Sequence, residues 1–274
     1  MLGMTQTINN NRGIALLLVI SVTTILIATA LEYNRRARFT VLSTAAARDR
    51  LTLSQMASSG VHAAMALLAK DRAESKIDSL QEDWANPDKI KELLNDISFE
   101  EGEIEVTISD EMGRIQVNAL VSFPDSRNFN EPQRLMLERY LNFLKDATEE
   151  TPEDSQPPAI INSLKDWLDS GDDDATTGLS GAESPYYQDL SPSYGSRNGP
   201  IADIHDLLRV KGITPDIFYG NADKPGLADV LTVYGMQPGA GTEFKFSGKI
   251  NINTAELPVL VALMPSENPE MALA

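Results

Sequence analysis

The residues best equipped for chemistry lie between Asp166 and Glu183. Five aspartates fall within nine residues, at Asp166, Asp169, Asp172, Asp173 and Asp174, and Thr176, Gly178, Gly181, Ala182 and Glu183 follow. Carboxylates this close repel one another unless a cation sits among them. Carboxylates beside backbone carbonyls and glycines suit a hard ion that takes six to eight oxygens, hence calcium and not zinc. Counted from Asp172, oxygen-bearing side chains fall at Asp172, Asp174, Thr176 and, in twelfth place, Glu183. That is the ligand spacing of an EF-hand, but its sixth-place glycine arrives one residue late, as Gly178, and Pro185 forbids a helix continuing directly from the loop. The reading is calcium, one ion or two, outside an EF-hand. Its ligands are Asp169, Asp172, Asp174 and Glu183, with Asp166 as a further ligand or a carboxylate just behind them. The alternative is a solvated acidic loop. The lack of helix signals between Gly171 and Gly199 favours the metal, because so long a loop needs something to hold it.

The elements that must position this loop follow from periodicity. Gln133 to Leu144 has helical period, an acidic proline-punctuated linker runs from Glu149 to Pro158, and Ile160 to Leu168 is a helix. Shorter helical pieces are expected around Ile204 and Val230, and another helix from Thr254-Ala255-Glu256. Strands are expected at Ile104–Ile108 and Arg114–Asn118, joined as a hairpin by Asp110-Glu111-Met112-Gly113, and again at Lys245–Asn253. Strands on both sides of an all-helical middle imply an α+β fold: a small antiparallel sheet with a large all-helical domain inserted in it. Leu208–Thr214 and Asn251–Leu257 look like pieces of helix-hairpin-helix modules. From Ala159 onward there are 7 basic and 16 acidic residues, so a phosphate would be repelled and the hairpins serve as packing.

Composition narrows the function classes. The formal charge is −17 and the sequence pI about 4.5, a surface that repels nucleic acid and attracts divalent cations. There is no cysteine, which removes disulfides and thiolate chemistry, and the two histidines, His62 and His205, exclude a histidine-rich catalytic metal site. No nucleophile elbow, P-loop or dinucleotide fingerprint is present, so no catalytic residue is assigned. Near the start, Arg12-Gly13 runs into the uncharged stretch IALLLVISVTTILIATAL, residues 14–31. At 1.5 Å rise that is roughly 27 Å of helix, enough to cross a bilayer core. The apolar run is longer than a secretory signal's, and Glu32-Tyr33-Asn34-Arg35-Arg36 follow where a cleavage site would stand. The helix continues over Leu42–Leu68, with an apolar stripe at Leu51, Leu53, Met56, Ala57, Val61, Ala64, Met65 and Leu68 packed on its own domain. Asp71 to Asn95 is helical in pieces, broken at Asn86-Pro87.

A short polar leader ending in glycine before an apolar helix resembles a prepilin. The resemblance implies cleavage between Gly13 and Ile14, which leaves Ile14 as the mature N-terminus, and methylation as a family feature. Members usually carry glutamate at the fifth mature position, where this chain has Leu18. A leucine offers no carboxylate to the amine of a neighbour above, which fits the first subunit laid down, at the tip. The positive-inside rule alone would put the large domain in the cytoplasm, since Arg35, Arg36 and Arg38 follow the helix; the leader's resemblance places it outside.

The fuller resemblance rests on motifs in one order: Asp110–Leu120 (DEMGRIQVNAL), Asp166-Trp167-Leu168-Asp169, Gly181-Ala182-Glu183 with Tyr186-Tyr187, Asn198–Asp203, Val210–Thr214 and Ile250–Ala255. This set is similar to the K-type minor pseudopilins of type II secretion systems, the general secretion pathway protein K family. The family's plan implies a leader (1–13), the transmembrane part of the N-terminal helix (14–31), and the rest of that helix with the first part of a pilin-like sheet (32–123). A helical insert with the calcium loop (124–244) and a last strand and helix (245–274) complete it. It further implies a non-enzymatic subunit of the inner membrane with a periplasmic C-terminal domain. Its partners would be other minor pseudopilins at the pseudopilus tip, whose assembly it primes, the prepilin peptidase and secreted proteins, with no nucleic acid. A type IV pilus minor pilin used in adhesion and a membrane-anchored DNA receptor are the alternatives. Members usually extend well past the INTAEL segment, so an unusually short or truncated C-terminus is expected here.

Overall fold

The computed structural model describes residues 12–264 apart from 96, 98, 100–101, 124–125, 146–151, 172–175, 222–223 and 240–242. Helix α1, Arg12–Glu74, runs unbroken for 63 residues, about 95 Å at the usual rise. No proline interrupts it, and its glycines, Gly13 and Gly60, are tolerated singly. Every residue from Ile14 to Leu31 except Ser21 is apolar or threonine, and the threonine hydroxyls bond back to carbonyls one turn earlier, as Thr24 Oγ1 does to Ile20 O at 2.8 Å. The helix is long and apolar enough to cross a membrane.

The chain divides into two compact units, one reaching Ala66 with Ile90–Val106, the other Leu67–Lys89 with Thr107 onward. In the first unit the buried line of α1 is not the expected stripe. Met56, Gly60 and Ala63 are buried, whereas Leu51, Leu53, Val61 and Met65 stay exposed. The reason is steric. Gly60 lets the extended segment Ile104–Val106 lie against the helix backbone, with two side-chain methyls only 3.0 Å from where a Cβ would stand. The larger apolar side chains occupy another face. Helix α2, Pro87–Asn95, begins where the break at Asn86-Pro87 was read, and it buries Ile90 and Leu94.

The second unit carries β1 (Ile115–Gln116), α3 (Glu131–Leu144), α4 (Pro157–Leu168), α5 (Ser184–Gln188), α6 (Pro215–Tyr219) and α7 (Leu227–Val230). After these come β2 (Leu231–Thr232), β3 (Met236–Pro238), β4 (Phe244–Phe246) and α8 (Leu257–Leu263). The class is α+β, as read: a long N-terminal helix, a mostly helical body and small sheets, one of them antiparallel. Several strand expectations are corrected. Ile104–Ile108 is not a ladder strand, so no hairpin with Arg114–Asn118 forms. Instead β1 pairs in parallel with β2, Ile115 opposite Leu231, and β3 pairs antiparallel with β4. The expected strand at Lys245–Asn253 shrinks to β4, because Asn251–Thr254 turns to start α8. Asp110 makes both the first turn and this one. It accepts from Met112 N at 2.9 Å, and from Asn251 Nδ2 at 2.9 Å and Thr254 Oγ1 at 2.7 Å. Two side-chain donors on a short polar turn outweigh the alternating pattern.

Proline at a helix start costs nothing, since the first-turn N–H groups have no acceptor anyway. That explains α5, which begins at Ser184-Pro185 inside what reads as unbroken loop, and also Pro157 at the head of α4. One core gathers the unit: Ile115, Leu120, Leu137, Tyr140, Ile160, Leu164, Leu168, Leu207, Phe218 and Leu227 are among its fully buried side chains. The apolar side of α4 supplies five of its largest members, at about 2 kcal/mol of burial each, which fixes that helix as the platform for the loop beyond it.

Candidate metal centre

The last turn of α4 delivers two carboxylates and the residue before α5 delivers the third. Asp166 lies in α4 and Asp169, three residues on, caps it, its N–H closing the helix on Lys165 O at 2.9 Å. Between Gly171 and Glu183 the chain returns, and oxygens of Asp166, Asp169 and Glu183 come within 4.8 Å of one another. These side chains are 0 %, 3 % and 5 % exposed. Taking three carboxylates from water costs several kcal/mol each unless charge or donors compensate.

Partial compensation is visible. Thr177 N donates to Asp166 Oδ1 and Oδ2 at 3.0 and 3.1 Å. Lys165 Nζ lies 3.1 Å from Asp169 Oδ2 and donates to Thr177 Oγ1 at 2.9 Å. Asp169 Oδ1 is buried and has no hydrogen-bond donor among the described residues. Burial pushes the Asp169 carboxyl up from its ordinary range, and the Lys165 ammonium only partly offsets that. A buried carboxylate oxygen without a donor, facing two further carboxylates, is the chemistry of a hard-cation site. The residues fit calcium: Asp166, Asp169 and Glu183 would hold the ion, which would neutralise them and tie α4 to the segment before α5.

Gly181 makes the approach possible. A Cβ there would stand 2.1 Å from Asp166 Oδ2 and 2.8 Å from Thr177 O. Behind the carboxylates an aromatic wall excludes water. Trp167 meets Tyr187 edge-on at 4.9 Å, and Tyr187 stacks on Tyr194 at 5.4 Å. The structure thus brings together three of the five ligand candidates, with Asp166 a full member of the group. Asp172 and Asp174 lie outside the described residues. Sequence reasoning missed Lys165 and Thr177, and placed Gly181 in the loop without its steric role. Only Lys165 left a signal, its i, i+4 spacing to Asp169 on a helix. A second acidic group, Asp71, Asp78 and Glu82, also lies within 4.8 Å but is open to solvent, and Glu82 is occupied by Ser79 N at 2.7 Å and Trp84 Nε1 at 3.2 Å.

The remaining sequence candidates sit elsewhere. Gly13 and Ile14 open α1 and Leu18 lies on its apolar stretch, Ile14 and Leu18 each 61 % exposed. The Val210–Thr214 turn is packed on protein: Gly212 takes φ +88°, a Cβ there would meet Asp154 O at 2.1 Å, and Lys211 Nζ pairs with Asp154 at 3.1 Å. Such a turn has no room to cradle a phosphate.

Comparison with known proteins shows what the chain is similar to. Residues 113–220, which contain the acidic centre, match the family model described as Type II secretion system (T2SS), protein K. Type II secretion system protein K of Klebsiella pneumoniae is 28 % identical over 211 residues, 77 % of this chain and 60 % of that protein. The Pseudomonas aeruginosa protein of the same name is 25 % identical over 194 residues, 70 % of this chain and 48 % of its own length. The chain therefore spans about half to three fifths of these relatives. In fold it matches a chain of the crystal structure of the GspK–GspI–GspJ complex from the enterotoxigenic Escherichia coli type 2 secretion system. The TM-score is 0.56 at 22 % identity, over 78 % of this chain and 68 % of that one. The family resemblance read from the ordered motifs holds.

Proposed function

We propose that this chain is a minor pseudopilin of a type II secretion system. In this reading it stands at the tip of the periplasmic pseudopilus with other minor pseudopilins and primes its assembly. The observation that carries it is a single chain joining the protein K domain at 113–220 to a helix whose apolar residues lie bare from Ile14 to Leu31. So much exposed apolar surface needs lipid or other helices. The bare residues Leu51, Leu53, Val61 and Met65 extend that surface beyond the membrane span, where partner pseudopilin helices would lie. The solved complex named above, in which GspK stands with GspI and GspJ, supports partners of those two kinds. The chain is held as a single-pass protein of the inner membrane, cleaved by prepilin peptidase between Gly13 and Ile14, with its large domain in the periplasm. Its role is structural and not enzymatic. The 124–244 insert is the part that caps the fibre and meets any secreted protein, and calcium at Asp166, Asp169 and Glu183 fixes it.

Two measurements test the reading. Co-expressed with I- and J-type pseudopilins, the chain should co-purify from membranes with both; recovery alone would sink the tip assignment. Calcium a hundred-fold above its Kd should stabilise the parent by about 2.7 kcal/mol, roughly 5–10 °C in Tm. Asp169→Ala with Glu183→Ala should abolish that gain. Equal melting of parent and variant with and without calcium would remove the metal from the proposal.

A further inference from the structure

Asp169 divides its two oxygens. Oδ2 faces an ammonium, Lys165 Nζ at 3.1 Å, while Oδ1 faces inward, buried and without a hydrogen-bond donor among the described residues. Lys165 is itself mostly covered, its side chain 12 % exposed, and it is held from two further sides. It donates to Thr177 Oγ1 at 2.9 Å, and its Nζ lies 6.0 Å from the centre of the Phe129 ring. A surface lysine paired i, i+4 with a carboxylate would keep its head in water. This one is led into the carboxylate group instead. Thr177, its second anchor, is also the residue whose N–H holds Asp166. The cation is therefore built into the same loop that gathers the carboxylates.

We propose that Lys165 is a resident counter-cation of the acidic centre, which lets the domain fold without metal and sets how tightly a divalent cation binds there. The proposal rests on the calcium reading of that centre and adds its regulation. Two effects of the lysine oppose each other. Its hydrogen bond orients Asp169, which favours binding. Its positive charge repels an ion a few Å away inside a water-poor site, which disfavours binding and is the larger effect. Removing the charge should therefore do two things of opposite sign: weaken the metal-free fold, by leaving buried carboxylates uncompensated, and tighten the metal complex.

The test uses the full chain in detergent micelles, with calcium affinity from chelator competition and melting followed by tryptophan fluorescence in chelator or in calcium. Lys165→Met should melt lower than the parent in chelator and bind calcium at least ten-fold more tightly. Lys165→Arg, which keeps the charge, should bind within about three-fold of the parent. If Lys165→Met does not fold in chelator, Lys165→Gln and the calcium concentration that restores folding give the same comparison. A parent that binds calcium beside neutral variants that bind it equally or more weakly overturns the counter-cation and leaves the metal centre standing. A flat parent beside a binding Lys165→Met supports the lysine as the ion's substitute. Flat titrations of both overturn the metal centre and the counter-cation together.

Discussion

Gly181 shows how much of the centre depends on one missing atom. Its backbone passes so close to Asp166 that a methyl group would overlap Oδ2 at 2.1 Å and crowd both the N and the O of Thr177. Aspartate at the buried end of α4 cannot retreat, since Asp166 is fully covered and its neighbours Trp167 and Leu168 are locked in the core. Relief must come from the loop. Gly181→Ala should then cost about 2 kcal/mol, as overpacking of a tight site does. It should also weaken calcium binding at least ten-fold, because Glu183 lies two residues on and moves with the loop. Thermal unfolding and chelator competition on the same sample check both numbers. A variant that loses stability but keeps its affinity would place Gly181 in packing alone. The grouping at this scale was legible: three of the five candidate acids come together, the other two lying outside the described residues. Lys165 was not legible as part of it, because a lysine on a helix reads as solvated until the loop is seen to cover it.

At the scale of elements the helices other than α5 were readable and the strand pairings were not. Helices α1, α3, α4 and α8 depend on neighbours three and four apart, and such spacing is written in the sequence. The segments 104–108 and 114–118 alternate as strands should, yet the first lies against α1 at Gly60 without a ladder, and the second pairs with residues more than a hundred positions away. Asn118 decides one such pairing. Fully buried, it donates to Ile201 O at 2.9 Å and to Val233 O at 3.3 Å and accepts from Ile201 N at 2.7 Å. It thereby ties the turn after β1 to the chain just past β2, and β1 lies parallel to β2 in place of a hairpin. Asn118→Leu keeps the volume and leaves three buried backbone groups without partners. At roughly 1 kcal/mol or more for each, the expected loss is about 3 kcal/mol. Urea unfolding should show a lower midpoint with unchanged slope; a loss below about 1 kcal/mol would mean the parallel pairing stands without its asparagine.

For the whole molecule, on the proposed reading, the question is where a chain with one apolar span and a larger acidic domain would stand in a fibre. Leu18 bears on it directly. The helix N-terminus created at Ile14 would bring an amine into the bilayer's edge, and a carboxylate four residues on would offer a neighbour's amine a partner. Leucine offers none. A carboxylate placed at Leu18 in a subunit with nothing above it has only its own amine or water to meet. In an apolar span an unpaired charge costs up to roughly 2.5–3.5 kcal/mol at the centre and less toward the end. Leu18→Glu should therefore lower the recovery of membrane complexes with the partner pseudopilins several-fold, and the chain should still be present at one copy for each partner. Quantitative mass spectrometry of the purified complex gives both the yield and the ratio. Several copies per complex, or a yield above the parent's, would show that the leucine keeps the chain out of the shaft when it could otherwise repeat there. The proposed tip position would then rest on the bulk of the 124–244 segment alone.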